Sequence, residues 1–357
     1  MYVPSKHQAA GHDGCLTLED GSLFIKLTVQ QEIDFYTQTQ TRDNSNLTEN
    51  DLPGSKLIDW MPVYMGTLTQ GDITKDTSIH SDITIESTTT SQKQYIVLHN
   101  CYHGFKHPSI LDIKLGSKLT DDQTTPIEKI ARLQKVSEST TSGSLSFRIC
   151  GMKIYNGDSD SKPHRELYSN MNDSSVSVNQ ENINENYLEF NKFYGRSLDL
   201  QNIKQGISLY FDHHLRKLPK GQFMIRKLIS SFHKRLQLLY NCLLDYEIRI
   251  FSGSLLFIYE NDLNKWAGAL DGDDEMYEEL DPLIHVPIIE DEDEDEDEDD
   301  ENPQDNVNSP LSALKLIDFA HAKYVEGQGH DENILQGIEN LIDIFQQLLN
   351  EQIDLKH

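Results

Sequence analysis

The sequence predicts an α+β protein that combines short strands with long amphipathic helices. Strand-like apolar segments occur at 22–28, 94–99 and 147–155, and polar residues bound each of them. Helical periodicity is clearest at 223–246 and again after Asp331, where apolar residues recur every three or four positions. The 357 residues, 37% of them hydrophobic, suffice for two lobes of one catalytic domain or for two small domains with a real core.

The negative charge of the chain is concentrated in one tract. Of the 59 acidic residues, 19 lie between 271 and 301, where no Lys or Arg occurs, so the remainder carries only -9 of the formal charge of -28. The run Glu290–Glu301 is acidic without a break, and such runs repel themselves, which predicts a disordered insertion over 271–310. Two interpretations stay open: a solubilising insertion, or a docking surface for basic partners such as transcription factors or histones.

Cysteine usage and the N-terminus indicate a compartment. The four cysteines are scattered with no Cys-x-x-Cys pair, which argues against a zinc site or a disulfide framework and favours a reducing environment. No apolar run follows a basic patch at the N-terminus, and no stretch approaches the ~20 apolar residues of a membrane span. We therefore expect an intracellular, soluble protein.

A lysine on the first clear strand is followed by a glutamate at the start of a helix. Lys26 lies within the strand 22–28, and Glu32 lies near the start of a helix predicted over 30–40. Kinases use such a pair to position nucleotide phosphates. From the residues alone, a surface lysine on an antiparallel strand is the favoured alternative by about two to one.

Several segments have little to bury and are predicted to be loops. The residues around Gly11–Gly14 suggest a glycine-bounded turn, and the stretches 41–56 and 69–93 are rich in Thr, Ser, Asp and Asn. A short strand pair is predicted between these stretches, over 60–68. The polar segment 156–186 is interpreted as a mobile loop.

The segment Pro108–Gly116 carries an acid and a base two residues apart. Three apolar residues in its first half precede Asp112, and Lys114 follows two positions later. On a strand, residues two apart point to the same face, so the two side chains project together. This arrangement suits a site that holds a sugar hydroxyl beside a phosphate. An edge-strand ion pair has about equal weight.

A basic helix is predicted over 125–138. Thr125 and Glu128 have capping-box spacing, and Pro126 occupies the favoured first helical position. Cations recur every third residue, which forms a slowly drifting stripe that suits a multiply phosphorylated ligand. A solvated face is the usual alternative, but the acidity of the chain makes a basic cluster more informative. The cations are Lys129, Arg132 and Lys135.

A carboxylate ends the last predicted strand. Asp318 follows an apolar run, where it is well placed to hold Mg²⁺ bridging ATP phosphates. His321 follows three residues later, and an isolated histidine is more often structural than catalytic. Asp331 is predicted to cap the terminal helix.

Five motifs in order give the chain a resemblance to a known family. Pro108–Gly116 resembles the Pro-x-x-x-Asp-x-Lys-x-Gly signature of the inositol polyphosphate kinases, and the chain is most similar to their fungal multikinase members. The other four are Tyr194–Ser197, the Ser-Leu-Leu segment Ser252–Phe257, the Ile-Asp-Phe block Leu316–His321, and Asp331–Asn333 with Gly337. The resemblance implies a two-lobed fold like that of protein kinases or ATP-grasp enzymes, with antiparallel sheets, an N-terminal nucleotide-binding lobe over 1–100 and a C-terminal lobe over 101–357.

The resemblance also implies site residues and cofactors. ATP would be bound by Lys26, by the hinge His99–Cys101 and by Asp112 on the ribose. The family usually has an acidic residue at the position of His99, which leaves the role of that side chain in doubt. Mg²⁺ would be held by Asp318, with Asn333 as a weaker candidate. Lys114, Asp318 and His321 form the catalytic set. The inositol phosphate would be bound by Lys114, Lys129, Arg132, Lys135, Lys192 and His321, whereas Arg196 is equally well explained by a structural salt bridge.

The implied activity is that of an ATP-dependent multikinase. It would convert inositol 1,4,5-trisphosphate and tetrakisphosphate to tetrakis- and pentakisphosphates. Alternatives are a trisphosphate 3-kinase, a hexakisphosphate kinase, or a nuclear scaffold acting through the acidic tract. For the fungal members, the resemblance implies a link to arginine-responsive transcription, and we expect a monomer of nucleus and cytoplasm without direct nucleic-acid contacts. A protein kinase is disfavoured, because no His-Arg-Asp motif occurs and Ala, not Gly, follows Asp318-Phe319.

Overall fold

The structure is a computed structural model that describes residues 1–5, 14–45, 52–69, 93–163, 175–182, 185–215, 220–266 and 311–354. Its strands are β1 (Tyr2–Pro4), β2 (Leu16–Leu18), β3 (Leu23–Thr28), β4 (Tyr64–Thr69), β5 (Gln94–His99), β6 (Pro108–Leu115), β7 (Phe147–Gly157), β8 (Val176–Asn182), β9 (Glu185–Phe190), β10 (Ile248–Ile250), β11 (Ser254–Glu260), β12 (Ser312–Ile317) and β13 (Ala322–Tyr324). The helices are α1 (Gln30–Ser45), α2 (Leu57–Trp60), α3 (Ile127–Glu138), α4 (Thr141–Leu145), α5 (Lys192–Ser197), α6 (Ile203–Leu215), α7 (Gly221–Leu244) and α8 (Glu332–Asp354).

Two antiparallel sheets form the framework, which confirms the predicted α+β class. The first has the order β1-β2-β3-β5-β4, and the second has the order β12-β11-β6-β7-β9-β8. A separate ribbon pairs β10 with β13. The predicted lobe boundary at residue 100 falls just after β5, the last strand of the first sheet, and it stays a prediction.

One face of the second sheet packs on the long helices. Alternate residues of β6 point towards the helices, so Leu111, Ile113 and Leu115 are fully buried. The ring of Phe257 on β11 stacks on Phe345 of α8 with the centroids 5.6 Å apart. This packing leaves the other face of β6, which carries Asp112 and Lys114, for a cleft.

Helix α1 is attached to elements from the other end of the chain. Phe35 stacks on Phe319 and on Tyr324, with centroid separations of 5.0 and 5.3 Å. Near the end of α1, the hydroxyl of Tyr246 donates a hydrogen bond of 2.7 Å to the carboxylate of Asp43. The helix therefore belongs to the same packed unit as β12 and β13, although it follows β3 in sequence.

The predicted loop over 41–56 was wrong at its start, because α1 continues to Ser45. Ser45 and Thr41 satisfy their hydroxyls by donating to the backbone carbonyls four residues earlier, so their polarity does not end the helix. The strand pair predicted over 60–68 was also wrong, because Trp60 is helical and β4 pairs with β5. Residues 46–51 and 70–92 lie outside the described part of the chain, as do residues 11–13 of the predicted turn.

The mobile loop predicted over 156–186 was wrong where the structure describes it. Strand β7 continues to Gly157, β8 covers Val176–Asn182 and β9 begins at Glu185. As an edge strand, β8 needs only one apolar face, and Val176 is fully buried while Ser177 and Asn179 are exposed. A polar composition therefore concealed a strand. Residues 164–174 and 183–184 lie outside the described ranges, as does the predicted acidic insertion 271–310.

The basic helix begins two residues later than predicted. Pro126 occupies the N-cap position of α3 and forms no side-chain cap hydrogen bond, so the capping box of Thr125 and Glu128 does not form. No helix in the described ranges is both long and apolar enough to cross a membrane.

Helix α5 approaches β7 so closely that only glycine fits at position 195. A Cβ on Gly195 would lie 1.8 Å from the carbonyl oxygen of Ile149. We expect Gly195→Ala to lower the free energy of unfolding by at least ~2 kcal/mol, because backbone atoms must move apart. Gly206→Ala is the matched control, since its Cβ would meet side chains and no backbone: the flexible end of Leu198 at 2.7 Å and the hydroxyl of Tyr194 at 3.4 Å. Urea denaturation measures both, and equal stability of the two variants would contradict the packing argument.

Candidate active site

The ammonium group of Lys26 lies between two carboxylates. Its Nζ is 2.9 Å from Glu32 Oε1 and 3.0 Å from Asp318 Oδ1. Burial by itself would lower the pKa of Lys26, but the two carboxylates outweigh it and raise the pKa well above its usual value. Lys26 is therefore a permanent cation, and it joins the first sheet, α1 and the end of β12.

Glu32 is a buried carboxylate whose other contacts fix its orientation. The hydroxyl of Thr28 donates a hydrogen bond of 2.7 Å to Oε2, and the backbone N–H of Phe319 donates one of 3.2 Å to Oε1. The second contact holds Glu32 directly beside Asp318. Asp318 itself has a φ of +67°, and its carboxylate is 42% exposed. The left-handed backbone turns this side chain out of the strand direction and into the cleft.

The lining of the first half of the cleft suits a nucleotide. Two apolar walls face each other, one from the first sheet and one from the second, which is a geometry that accepts a flat aromatic base. The connection His99–Tyr102 closes the back, and three charged side chains lie at the front. The walls are formed by Phe24, Leu98, Leu256 and Ile317, and the charged residues are Lys26, Asp112 and Asp318.

The predicted hinge, His99–Cys101, lines the first half of the cleft. Asn100 fixes the turn, because its side-chain amide donates to Gly21 O at 2.8 Å and its side-chain oxygen accepts from Tyr102 N at 3.1 Å. Cys101, the next residue of this turn, lines the cleft. The side chain of His99 contacts the ring of His103.

Asp112 is a buried carboxylate whose side-chain oxygen Oδ1 has no hydrogen-bond partner among the described residues. The residue is only 6% exposed. Burial raises its pKa to about 6, and nearby Lys114 only partly offsets this effect. A buried acceptor without a donor is costly, so a ligand that brings hydroxyl donors would stabilise it. Ribose hydroxyls in the first half of the cleft meet that requirement.

The second half of the cleft is basic. It shares Cys15, Lys26 and Asp318 with the first half, so the two halves meet at those side chains. Lys114, Lys129 and His321 line it. Partial burial, helped by the nearby charge of Lys129, lowers the pKa of His321. The imidazole is therefore neutral at neutral pH and able to accept a proton.

The predicted basic stripe is only partly directed into this cleft. Lys129 lines the cleft with Thr125 and Leu133, which lie one turn away on either side of it. Arg132 and Lys135 lie progressively further around the helix, and both are exposed and absent from the cleft lining. Lys192 is likewise exposed on α5, where its ammonium contacts the ring of Phe193.

Asn333, the weaker metal candidate, directs its side chain to the backbone of residues 117 and 118. In the described ranges, no group of three or more His, Cys, Asp or Glu side chains converges as a metal site. A single carboxylate such as Asp318 fits a cation that arrives with nucleotide phosphates, because Mg²⁺ and similar ions are often held by one or two carboxylates plus phosphate oxygens.

The structure adds residues that the motifs did not single out. Cys15 and Leu119 line the cleft, and the carbonyl oxygen of Ser252 accepts a hydrogen bond of 2.5 Å from Lys114 Nζ. Strand register brings Ser254 opposite Lys114. The alternation of β11 predicts two faces, but the sequence does not show which strand pairs with β6.

The cleft combines an apolar pocket, a Lys–Glu pair, a strand-end carboxylate and a cationic pocket. This combination is typical of a phosphotransferase of the kinase type. Comparison with known proteins specifies the family. Residues 95–346 match the profile of the family described as inositol polyphosphate kinase. The chain therefore belongs to the inositol polyphosphate kinase family, as its motifs predicted, and it is an inositol polyphosphate kinase.

Individual relatives agree with this assignment. The inositol polyphosphate multikinase of Saccharomyces cerevisiae is 40% identical over 96% of this chain and 98% of its own length. The multikinase of Schizosaccharomyces pombe is 27% identical over 97% of both chains. Human inositol hexakisphosphate kinase 1 is 26% identical over 72% of this chain and 53% of its own length. The crystal structure of the Saccharomyces cerevisiae inositol phosphate multikinase with ADP and Mn²⁺ matches 92% of this chain and 100% of that chain, with a TM-score of 0.65 and 36% identity.

The buried charge of Asp112 predicts a pH-dependent cost in stability. Because its folded-state pKa of about 6 lies above the ordinary value of 3.8, the cost is present above pH 6 and disappears as the pH falls towards 4. We expect Asp112→Asn to raise the free energy of unfolding by on the order of 2 kcal/mol at pH 8 and by little at pH 4. Urea denaturation without nucleotide measures this, with the exposed Asp158→Asn as control. A lower free energy of unfolding for Asp112→Asn than for the wild type at pH 8 would contradict this prediction.

Proposed function

We propose that the protein is an ATP- and Mg²⁺-dependent multikinase. It phosphorylates hydroxyl groups of inositol 1,4,5-trisphosphate and of the resulting tetrakisphosphate, and it forms tetrakis- and pentakisphosphates. The observation that carries the proposal is the meeting of a nucleotide-shaped half and a cationic half of one cleft at Lys26 and Asp318. A phosphoryl group transferred at that junction passes from a nucleotide to a polyanionic acceptor.

On the nucleotide side, each charged group has one task. Lys26 neutralises the nucleotide phosphates, Asp112 accepts hydrogen bonds from the ribose hydroxyls, and Cys101 offers its backbone to the base. Asp318 would hold Mg²⁺, which would neutralise charge on the phosphate oxygens when bound. Support for a divalent metal comes from the Mn²⁺ and ADP in the related crystal structure.

On the acceptor side, Lys114 lines the second half of the cleft. It extends from the same face of β6 as Asp112, so it would bridge the transferred phosphoryl group and the acceptor. Lys129 would bind a ring phosphate. The neutral His321 would accept the proton of the attacking hydroxyl or bind a phosphate after protonation. Catalysis of this kind depends mainly on positioning and electrostatics.

The large negative charge of the chain does not oppose this role. Nineteen acidic groups lie in the tract 271–301. At physiological ionic strength the Debye length is about 8 Å, so tract charges further away than that act weakly on the cleft. The tract Glu290–Glu301 is proposed as a docking surface for basic proteins such as transcription factors. That role accords with a nuclear as well as cytoplasmic location and with arginine-responsive transcription.

Related activities are the second candidates. By the family resemblance, a histidine at position 321 is typical of multikinases and hexakisphosphate kinases, whereas trisphosphate 3-kinases have lysine at this position. Higher identity over nearly the whole chain favours the multikinases over the hexakisphosphate kinases. The products distinguish these activities, because only a multikinase adds phosphate to several hydroxyls in succession.

The direct test is a timed product profile. Purified protein is incubated with ATP, Mg²⁺ and tris-, tetrakis- or pentakisphosphate, and the products are separated by chromatography. We expect trisphosphate to give tetrakis- and then pentakisphosphate.

Lys114→Ala should lower kcat/KM by at least ~100-fold, since it removes a charge that contacts the transferred group. The control is Lys204→Ala, a lysine that is paired with Glu351 and does not line the cleft. Full turnover by Lys114→Ala would remove the assignment.

The helix α3 offers a second comparison. Lys129 lines the cleft, whereas Lys135 on the same helix is exposed outside it. We expect Lys129→Ala to raise KM for inositol trisphosphate by ~10-fold, which corresponds to one charge-assisted hydrogen bond. Lys135→Ala should change KM by less than ~3-fold, since its charge is screened. Initial-rate kinetics measure both, and an equal effect would show that the whole stripe binds the acceptor.

A further inference from the structure

Asn333, the second residue of α8, directs both polar atoms of its side chain to one short loop, residues 116–119, which follows β6. Its Oδ1 accepts hydrogen bonds from Ser117 N at 2.9 Å, Ser117 Oγ at 3.2 Å and Lys118 N at 2.9 Å. Its Nδ2 donates to Lys118 O at 3.0 Å. The amide thus replaces the partners that a strand or helix would have given to this backbone.

The loop is held in close contact with α8. Gly116 has a φ of +91°, and a Cβ at that position would lie 2.4 Å from Asn333 Nδ2. One turn along α8, a Cβ on Gly337 would lie 2.3 Å from Ser146 O, the same oxygen that accepts a 2.6 Å hydrogen bond from Gly116 N. Two glycines therefore allow the helix to reach the loop.

The same loop joins the elements that line the acceptor half of the cleft. The loop begins two residues after Lys114. The hydroxyl of Ser137 on α3 donates a hydrogen bond of 2.6 Å to Ser117 O. Leu119 O accepts one of 2.9 Å from Ser252, whose own carbonyl oxygen binds Lys114. The positions of Lys114 and of helix α3, with its Lys129, are therefore both tied to residues 117–119.

The start of α8 is itself fixed to this region. Asp331 is buried, and its Oδ2 accepts a 2.7 Å hydrogen bond from Ile250 N, two residues before Ser252. Its Oδ1 accepts one of 3.1 Å from Asn333 N. The backbone of Asn333 is thus anchored to β10, while its side chain is anchored to the loop after β6.

We propose that Asn333 is a positioning residue for the acceptor, and not a metal ligand. It sets the distance between Lys114 and Lys129 by fixing the loop that connects them, and it makes no contact of its own with the reacting groups. The nucleotide half has walls from both sheets, but none of residues 116–119 lines it. The inference rests on the proposed function, because it assigns the second half of the cleft to an inositol phosphate.

The test measures acceptor and nucleotide separately in the full-length protein. We expect Asn333→Ala to weaken binding of inositol 1,4,5-trisphosphate by ~10-fold or more in calorimetry without nucleotide, and to raise the acceptor KM similarly, because a displaced group loses its alignment. KM for ATP and the Mg²⁺ concentration for half-maximal rate should stay within twofold. Asn333→Asp keeps the acceptor oxygen and should give an intermediate loss.

The matched control is Asn340→Ala on the same helix. Its side chain also donates to a backbone carbonyl, Leu145 O at 2.9 Å, but it does not contact the loop. We expect unchanged acceptor binding for this variant. Unchanged acceptor binding by Asn333→Ala, or a shift in its metal requirement, would overturn the inference while leaving the proposed function intact. Wild-type protein that neither binds nor phosphorylates the trisphosphate would overturn both. Should Asn333→Ala fail to fold, Asn333→Asp gives the same decision.

Discussion

The ion pairs of Lys26 are the interaction on which the cleft depends. A buried ammonium is stable only when carboxylates compensate for its lost hydration. Glu32 and Asp318 do so at 2.9 and 3.0 Å, and they come from positions 286 residues apart in the chain. The same charges that stabilise Lys26 also draw the first sheet onto α1 and β12. The charge balance of one lysine thereby fixes the line where the two halves of the cleft meet.

The sequence predicted residues that line the cleft better than it predicted the loops. Asp112, Lys114 and Asp318 were found from strand alternation and strand-end chemistry, since a two-residue period fixes which side chains share a face. The segment containing β8 was missed because edge strands carry few apolar residues, and only the partners of Val176 show its role. A strand that is buried on both faces is recognisable from its apolar composition. A strand that is buried on one face has too few apolar residues to be recognised in this way.

Two other differences arise from geometry that spacing cannot show. A three-residue period turns by about 60° per step on a helix, so Lys129, Arg132 and Lys135 could not all face one cleft. The packing of α3 determines that Lys129 is the residue that faces the cleft. The family resemblance implied Asn333 only as a weaker candidate for the metal. In three dimensions it is turned towards residues 117 and 118, whose amide groups require a partner.

The attachment of α1 explains why the pair of Lys26 and Glu32 is rigid on one side. Three aromatic rings, those of Phe35, Phe319 and Tyr324, join the helix to the chain on either side of His321. Arg42 adds a stacking contact at 4.2 Å on the ring of Tyr324. Glu32 and Asp318 are therefore positioned by the same packing, and the N–H of Phe319 connects them directly. Lys26 is the member of this group that comes from the first sheet. Because both of its carboxylates are held by the same packed unit, the position of Lys26 sets how that sheet sits over the nucleotide half of the cleft.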